Sequence, residues 1–175
     1  MQFFLLRGII RAFLEIATTA KQPRNDTVEW EKLMYKILFV CHGNICRSPM
    51  AEFVMKDMVK KAGIADRVEI ASVAASREEL GNPMYPPARR ELAKHGIPCD
   101  GHRARLITDA DLRKYDRIYY MDSRNARYLQ RLFPGETCFE PFLNRDVADP
   151  WYSGDFTQTW ADICEGCGRI LEELK

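Results

Sequence analysis

The 175-residue chain carries almost no net charge: 26 Lys and Arg stand against 25 Asp and Glu. Such a balance supplies no long-range field, which argues against nucleic acid or an anionic membrane surface as partner. Any anion bound here must be held by a local site. Long uninterrupted apolar runs are also missing. The most apolar stretch, residues 3–20, is broken by Arg7, Arg11 and Glu15, so it does not suit stable membrane insertion. It also lacks the clean apolar centre and cleavage site of a secretory signal. There is no internal repeat and no low-complexity tract. Histidine is scarce, with three residues, and the single Cys-x-x-Cys (Cys164, Cys167) has no second ligand pair with which to hold zinc. No metal and no cofactor are expected.

What is present fits one globular domain with a full core, since 46% of the residues are apolar. The chain is long enough to fold without disulfides. Two of its six cysteines, Cys41 and Cys46, lie in a glycine-containing loop beside an arginine, which points to a reducing, cytoplasmic compartment and a reactive thiol. Residues 1–34 read as an extension preceding a domain over 35–175. Phe3, Leu6, Ile10, Phe13 and Leu14 share one helical face, the pattern of an amphipathic peripheral helix. The plainer alternative is a non-native extension: the codons of Trp30, Glu31 and Lys32 form a purine-rich stretch like a bacterial ribosome-binding site just ahead of Met34, where translation is then expected to start.

Strand and helix signals alternate through the domain. Lys36–Val40 is a short apolar run ending at Gly43 and Asn44, the pattern of a buried strand. A helix follows from Pro49, with Ala51, Val54, Met55, Met58 and Ala62 at helical spacing and Gly63 at its end. Val68–Ala74 is a second strand, 86–94 a helix, and Thr108 the cap of a short helix. A third strand spans 117–121, a helix 123–131 and a weak fourth strand 137–140. A polar loop over 146–154 precedes a last helix whose buried face carries Phe156, Trp160, Ile163, Cys167, Ile170 and Leu174. This alternation predicts an α/β fold with a parallel sheet, whose ligands bind beyond the carboxyl ends of the strands.

Cys41 sits at such an end, in the segment Cys41-His42-Gly43-Asn44-Ile45-Cys46-Arg47-Ser48 between strand and helix. A loop with five residues between Cys41 and Arg47 can curl so that backbone N–H groups face inward and cradle an anion. The helix adds its positive end, and Gly43 and Asn44 are residue types that accept the backbone torsions required. Arg47 offers a planar fork for phosphoryl oxygens. The same surroundings favour a thiolate at Cys41, with Ser48 placed to donate to the sulfur. A lone Cys-x5-Arg is a weak signal. The strand before it and the Arg-Ser-Pro that opens a helix after it make it a phosphate-binding loop with a nucleophile.

Phosphoryl transfer from a tyrosyl oxygen needs a proton donor, because the leaving group has a pKa near 10. His42 lies inside the cradle, and His95 and His102 fall in a helix-to-loop region. The better candidate is Asp149 in Asp149-Pro150-Trp151-Tyr152. An isolated Asp-Pro is ordinarily just a turn, but Trp151 and Tyr152 beside it supply flat walls on which a phenyl ring can stack.

These residues resemble the low-molecular-weight protein tyrosine phosphatase family from Tyr35 to about Leu174. The run from Phe39 to Glu52 carries the resemblance, and Asp149-Pro150-Trp151 supports it separately. The resemblance implies a three-layer α/β sandwich with a central four-stranded parallel sheet and the phosphate-binding loop after the first strand. It implies catalysis by Cys41, Arg47 and Asp149 through a phosphocysteine, with tyrosine-phosphorylated proteins as substrates. His42, Gly43, Asn44, Ile45, Cys46, Ser48, Trp151 and Tyr152 would then surround the substrate. Asn44, Ser72 and His95 would hold the loop's shape, and Cys46 would be the thiol able to form a reversible disulfide with Cys41. His42 departs from the small or apolar residue more usual in the family and is expected at the pocket entrance. Ile45 stands where protein-arginine phosphatases carry Thr; its bulk narrows the pocket towards a flat phosphotyrosine.

Three alternatives stay open on sequence alone. One is a protein-arginine phosphatase. Another is a thiol-dependent arsenate reductase, which would need Cys164 or Cys167 to reach Cys41, although the helical spacing places Cys167 on a buried stripe as a core residue. The third is a phosphopeptide-binding module without turnover, against which the joint presence of Cys41, Arg47 and Asp149 speaks.

Overall fold

The computed structural model describes residues 34–175; the amphipathic helix expected near the amino terminus lies outside the described residues. Four strands, β1 (Tyr35–Cys41), β2 (Val68–Ala74), β3 (Arg117–Tyr120) and β4 (Phe139–Pro141), form one sheet in the order β2-β1-β3-β4. Every pairing is parallel. Helices α1 (Arg47–Lys61), α2 (Pro86–Lys94), α3 (Asp109–Lys114), α4 (Ser123–Leu132), α5 (Pro150–Ser153) and α6 (Phe156–Leu174) complete the domain.

The central position of β1 follows from its residues. Ile37, Leu38, Phe39 and Val40 are all fully buried, as a strand covered on both faces requires. Each such side chain removed from water contributes roughly 1.5–3 kcal/mol. Alternation along the strand divides them between two cores. Ile37, Phe39 and Cys41 join α1, α2 and α6 on one side, through Val54, Met55, Leu92, Ile163 and Ile170. Leu38 and Val40 join Leu112 of α3, Tyr115 and Leu129 of α4 on the other. The result is the expected three-layer sandwich.

The elements depart from expectation at their ends. α1 begins at Arg47 rather than Pro49, so Arg47 and Ser48 occupy its first turn, with Pro49 as its third residue. β1 runs one residue further each way and ends on Cys41 itself. β4 lies two residues nearer the carboxyl terminus than expected at its start, because Phe139 pairs with Ile118 and packs on Phe133. The polar loop contains a turn of helix, α5: Asp149 caps it by accepting from the Trp151 N–H (3.2 Å), Pro150 opens it, and Gly154 closes it at φ +71°.

Two glycines of α6 sit in opposite surroundings. A Cβ on Gly166 would lie 2.3 Å from the ring of Phe142, whereas one on Gly168 would meet nothing within 4 Å. Gly168→Ala is expected to raise stability by about 0.5–1 kcal/mol through helix propensity. Gly166→Ala is expected to lower it, because overpacking costs roughly 1–3 kcal/mol. Urea unfolding of the two variants beside the parent checks the opposite signs.

Candidate active site

β1 delivers Cys41 to the carboxyl edge of the sheet, level with Ala74 of β2 and one residue beyond the Val40–Tyr120 pair. The loop 42–46 then turns into α1. Its sharpest point is Asn44, fully buried at φ +57°, the one described non-glycine residue with positive φ. Four hydrogen bonds hold it there. Asn44 Nδ2 donates to Ser48 Oγ (2.9 Å) and Ser72 Oγ (2.8 Å). Asn44 Oδ1 accepts from the Arg105 N–H (3.2 Å), and its carbonyl oxygen from His102 Nε2 (2.8 Å). A carbonyl can only accept, so His102 Nε2 carries a proton. Ser72 passes the chain on, donating to Glu52 Oε2 (2.6 Å), and Glu52 pairs with Lys56.

This order fixes the proton of Ser48. Its oxygen receives the Asn44 hydrogen, so its own hydrogen is free for Cys41 Sγ, 3.0 Å away; the Val73 carbonyl is a longer alternative at 3.4 Å. The sulfur thereby gains a neutral donor aimed at it.

Arg47 is 2% exposed, and burial works against its charge. Cys41, Asp149 and Asp122 outweigh that penalty and hold its guanidinium above the ordinary arginine value. One of its terminal nitrogens donates to Asp122 and to the Val147 carbonyl (3.2 Å), the other to Asp149 Oδ2 (2.7 Å). Asp122 caps α4, its second oxygen accepting from the Asn125 N–H (2.7 Å). The loops following β1, β3 and β4 thus meet at one guanidinium.

Around them opens a cleft of about 350 Å³ lined by Cys41, His42, Gly43, Ile45, Cys46, Arg47, Asp149, Trp151 and Tyr152. At its mouth His42 Nε2 meets Glu78 (3.0 Å) and sets its ring edge against Tyr128. Trp151 is 54% exposed and leans on Tyr85; Tyr152 is 73% exposed beneath Arg124. Asn44 and Ser48 stand behind the cradle rather than on its surface, both fully buried.

One expected residue lies elsewhere. His95 is at the end of α2, stacked on Trp160 with ring centroids 3.7 Å apart, and takes no part in the Asn44 network. The histidine of that network is His102. The segment containing it is drawn beside the cradle by the Ala74–Leu106 bridge, a tertiary contact that no local pattern announces. The sequence does not single out Asp122, Glu78, Tyr128 or Asn125 either. Of these Asp122 had a signal, an acid between the end of a strand and the start of a helix. Cys167 is fully buried, its Sγ set against the Ala51 carbonyl (3.6 Å), so it belongs to the core. Among the described residues no cluster of three His, Cys, Asp or Glu could hold a metal ion.

A parallel α/β sheet that sets a thiol, a buried guanidinium and a carboxylate around one cleft at its carboxyl edge defines a protein built to receive a tetrahedral oxyanion beside sulfur. Comparison with known proteins gives the family. The family model described as low molecular weight phosphotyrosine protein phosphatase matches residues 36–175. A low molecular weight protein-tyrosine-phosphatase of Bacillus subtilis is 33% identical over 151 residues, covering 81% of this chain and 97% of the relative. Among solved structures, a low molecular weight protein tyrosine phosphatase from Streptococcus pyogenes is 38% identical with a TM-score of 0.75, covering 81% of this chain and 94% of that one. A drosophila arginine phosphatase is 30% identical with a TM-score of 0.72, covering 80% and 98%. The chain belongs to the low molecular weight phosphotyrosine protein phosphatase family.

The two thiols of the loop are expected to react differently. Burial first, then the charges of Cys41 and Asp149, push the Cys46 thiol far above its ordinary value, so it stays protonated and unreactive at neutral pH. Brief treatment with iodoacetamide at neutral pH should therefore alkylate Cys41 and spare Cys46, with inorganic phosphate protecting Cys41. Peptide mapping of the labelled protein checks both expectations.

Proposed function

We propose that this protein hydrolyses phosphotyrosine in proteins, with Cys41 as nucleophile, Arg47 as phosphate clamp and Asp149 as general acid and then base. The observation that carries the proposal is the convergence on Arg47: one guanidinium reaches Asp149 on one side while its own helix turn places Ser48 against the Cys41 sulfur. In the first step the Cys41 sulfur attacks phosphorus in line, the bond from phosphorus to the tyrosyl oxygen breaks, and Asp149 protonates that oxygen as it leaves. Arg47 stabilises the charge spread over the phosphoryl oxygens. In the second step water attacks the phosphocysteine, Asp149 takes a water proton, and the sulfur leaves towards the Ser48 hydroxyl. No residue in this sequence of steps calls for a metal.

Substrate choice follows from the walls. Trp151 and Tyr152 present exposed aromatic faces at the mouth, and Ile45 forms part of the lining. A planar phenyl ring fits between such surfaces. The similarity to an arginine phosphatase makes phosphoarginine the second candidate; the branched Ile45 in the lining favours the aromatic substrate. A catalytic thiol also works only where it is kept reduced, which supports the cytoplasm as the compartment.

Hydrolysis of phosphotyrosine, phosphoarginine and phosphoserine peptides tests the substrate, with phosphotyrosine expected to be cleaved fastest. Cys41→Ser should abolish turnover. Asp149→Ala should slow phosphotyrosine hydrolysis by about 10²–10⁴-fold and slow aryl phosphates with acidic leaving groups far less. Equal losses on both substrate types would remove Asp149 from the acid role, and a phosphoarginine preference would overturn the assignment of substrate.

A further inference from the structure

Asn125 is 1% exposed, and neither Oδ1 nor Nδ2 of its carboxamide has a hydrogen-bond partner among the described residues. Such a group has given up water without a replacement, which is costly, and native interiors rarely tolerate it. Its position is not accidental: Asn125 is the third residue of α4, its N–H donates to Asp122 Oδ1 (2.7 Å), and Asp122 grips Arg47. Asn125 is among the residues that line the same cleft as Cys41, Arg47 and Asp149. An amide left without a partner in that wall can take one from whatever occupies the cleft.

We infer that Asn125 binds and orients the water that hydrolyses the phosphocysteine. This rests on the phosphocysteine mechanism proposed above. An attacking water has two hydrogens and must keep a lone pair aimed at phosphorus. Asp149 accepts one hydrogen and removes it. A second acceptor is needed to stop the water from rotating about that single bond, and Asn125 Oδ1 supplies it without a charge that would repel the phosphoryl group. In the step itself the water oxygen bonds to phosphorus, its proton passes to the Asp149 carboxylate, the phosphorus–sulfur bond breaks, and its electron pair returns to Cys41 as thiolate. The products are hydrogen phosphate, protonated Asp149 and the Cys41 thiolate. The tyrosyl oxygen of the first step has no hydrogen to offer, so Asn125 contributes little there.

Rapid-mixing kinetics with p-nitrophenyl phosphate separates the two steps. Asn125→Ala should keep the rate of the initial nitrophenolate burst, while the steady-state rate falls about tenfold, the loss of one aimed hydrogen bond. A second readout uses methanol as competing acceptor. Methanol has one hydroxyl hydrogen and cannot satisfy both Asp149 and Asn125, so the parent protein should discriminate against it. Asn125→Ala should lose that discrimination, and the ratio of methyl phosphate to inorganic phosphate should rise about tenfold. A merely structural residue would leave this ratio unchanged. If Asn125→Ala does not fold, Asn125→Ser is read by the same ratio. Burst and steady-state rates falling together, or an unchanged product ratio, would overturn the role of Asn125. Turnover surviving in Cys41→Ser would instead overturn the phosphocysteine mechanism beneath it.

Discussion

Burying an ionisable sulfur is costly unless donors are aimed at it, and here the aim is set by the backbone of one residue, Asn44. A non-glycine residue in the left-handed region ordinarily costs roughly 1–2 kcal/mol, with Asn among the least penalised. Four hydrogen bonds at about 0.5–1.5 kcal/mol each outweigh that penalty. Their order matters as much as their number. Glu52 accepts from Ser72, Ser72 accepts from Asn44, Asn44 donates also to Ser48, and Ser48 is left with a hydrogen that only the Cys41 sulfur or a longer carbonyl contact can use. A carboxylate in the second turn of α1 thereby determines which way a hydroxyl points. Removing any link frees the next to rotate, so the loop's shape and the sulfur's donor are one property.

The second constraint is the charge of Arg47. A guanidinium this deeply buried needs counter-ions, and the two it has differ in kind. Asp122 is 8% exposed and both its oxygens are committed, one to Arg47 and one to the first turn of α4. Asp149 is more open, its side chain 24% exposed, and among the described residues its second oxygen has only the Trp151 N–H at 3.2 Å. The fixed carboxylate keeps the guanidinium in place. In the proposed mechanism the looser one is the partner that an incoming phosphoryl group displaces, which frees the Asp149 carboxyl for the leaving oxygen.

Much of this arrangement could be read from the chain before any coordinates. The strand ending at Cys41 is a continuous apolar run because both its faces are covered, and the following Gly, Asn, Arg, Ser and Pro each have a local torsional or electrostatic reason for their place. Asp149 was legible because Trp151 and Tyr152 stood beside it. What escaped were residues whose role depends on strand register. The choice between His95 and His102 turns on the hydrogen bond from the Ala74 N–H to the Arg105 carbonyl (2.7 Å), which lays residues 102–106 along the end of β2. His95 belongs instead to the surface of α2 and α6. Asn125 could not be found at all from sequence, since an asparagine in the first turn of a helix is ordinary; only its burial and missing partners set it apart.

Asp149 owes its position to α6, whose side chains hold the residue before it. Val147 donates to the Met121 carbonyl at the end of β3 (2.8 Å) and accepts from Arg47. Ala148 is held on both sides of its backbone by α6, its carbonyl by Thr159 Oγ1 (3.3 Å) and its N–H by Asp162 (3.4 Å). Asp149 then reaches Arg47 in α1. α6 in turn lies directly on α1, where Cys167 rests on the Ala51 carbonyl and Gly166 admits the ring of Phe142. A larger residue at 167 would press on α1 and one at 166 on the ring of Phe142, and either would shift α6 and with it Ala148. Since a displacement of about 1 Å can cost of order 10²-fold in rate, small residues at 166 and 167 would bear on the proposed turnover through packing alone. They keep Asp149 and the Cys41 sulfur referred to the same helix.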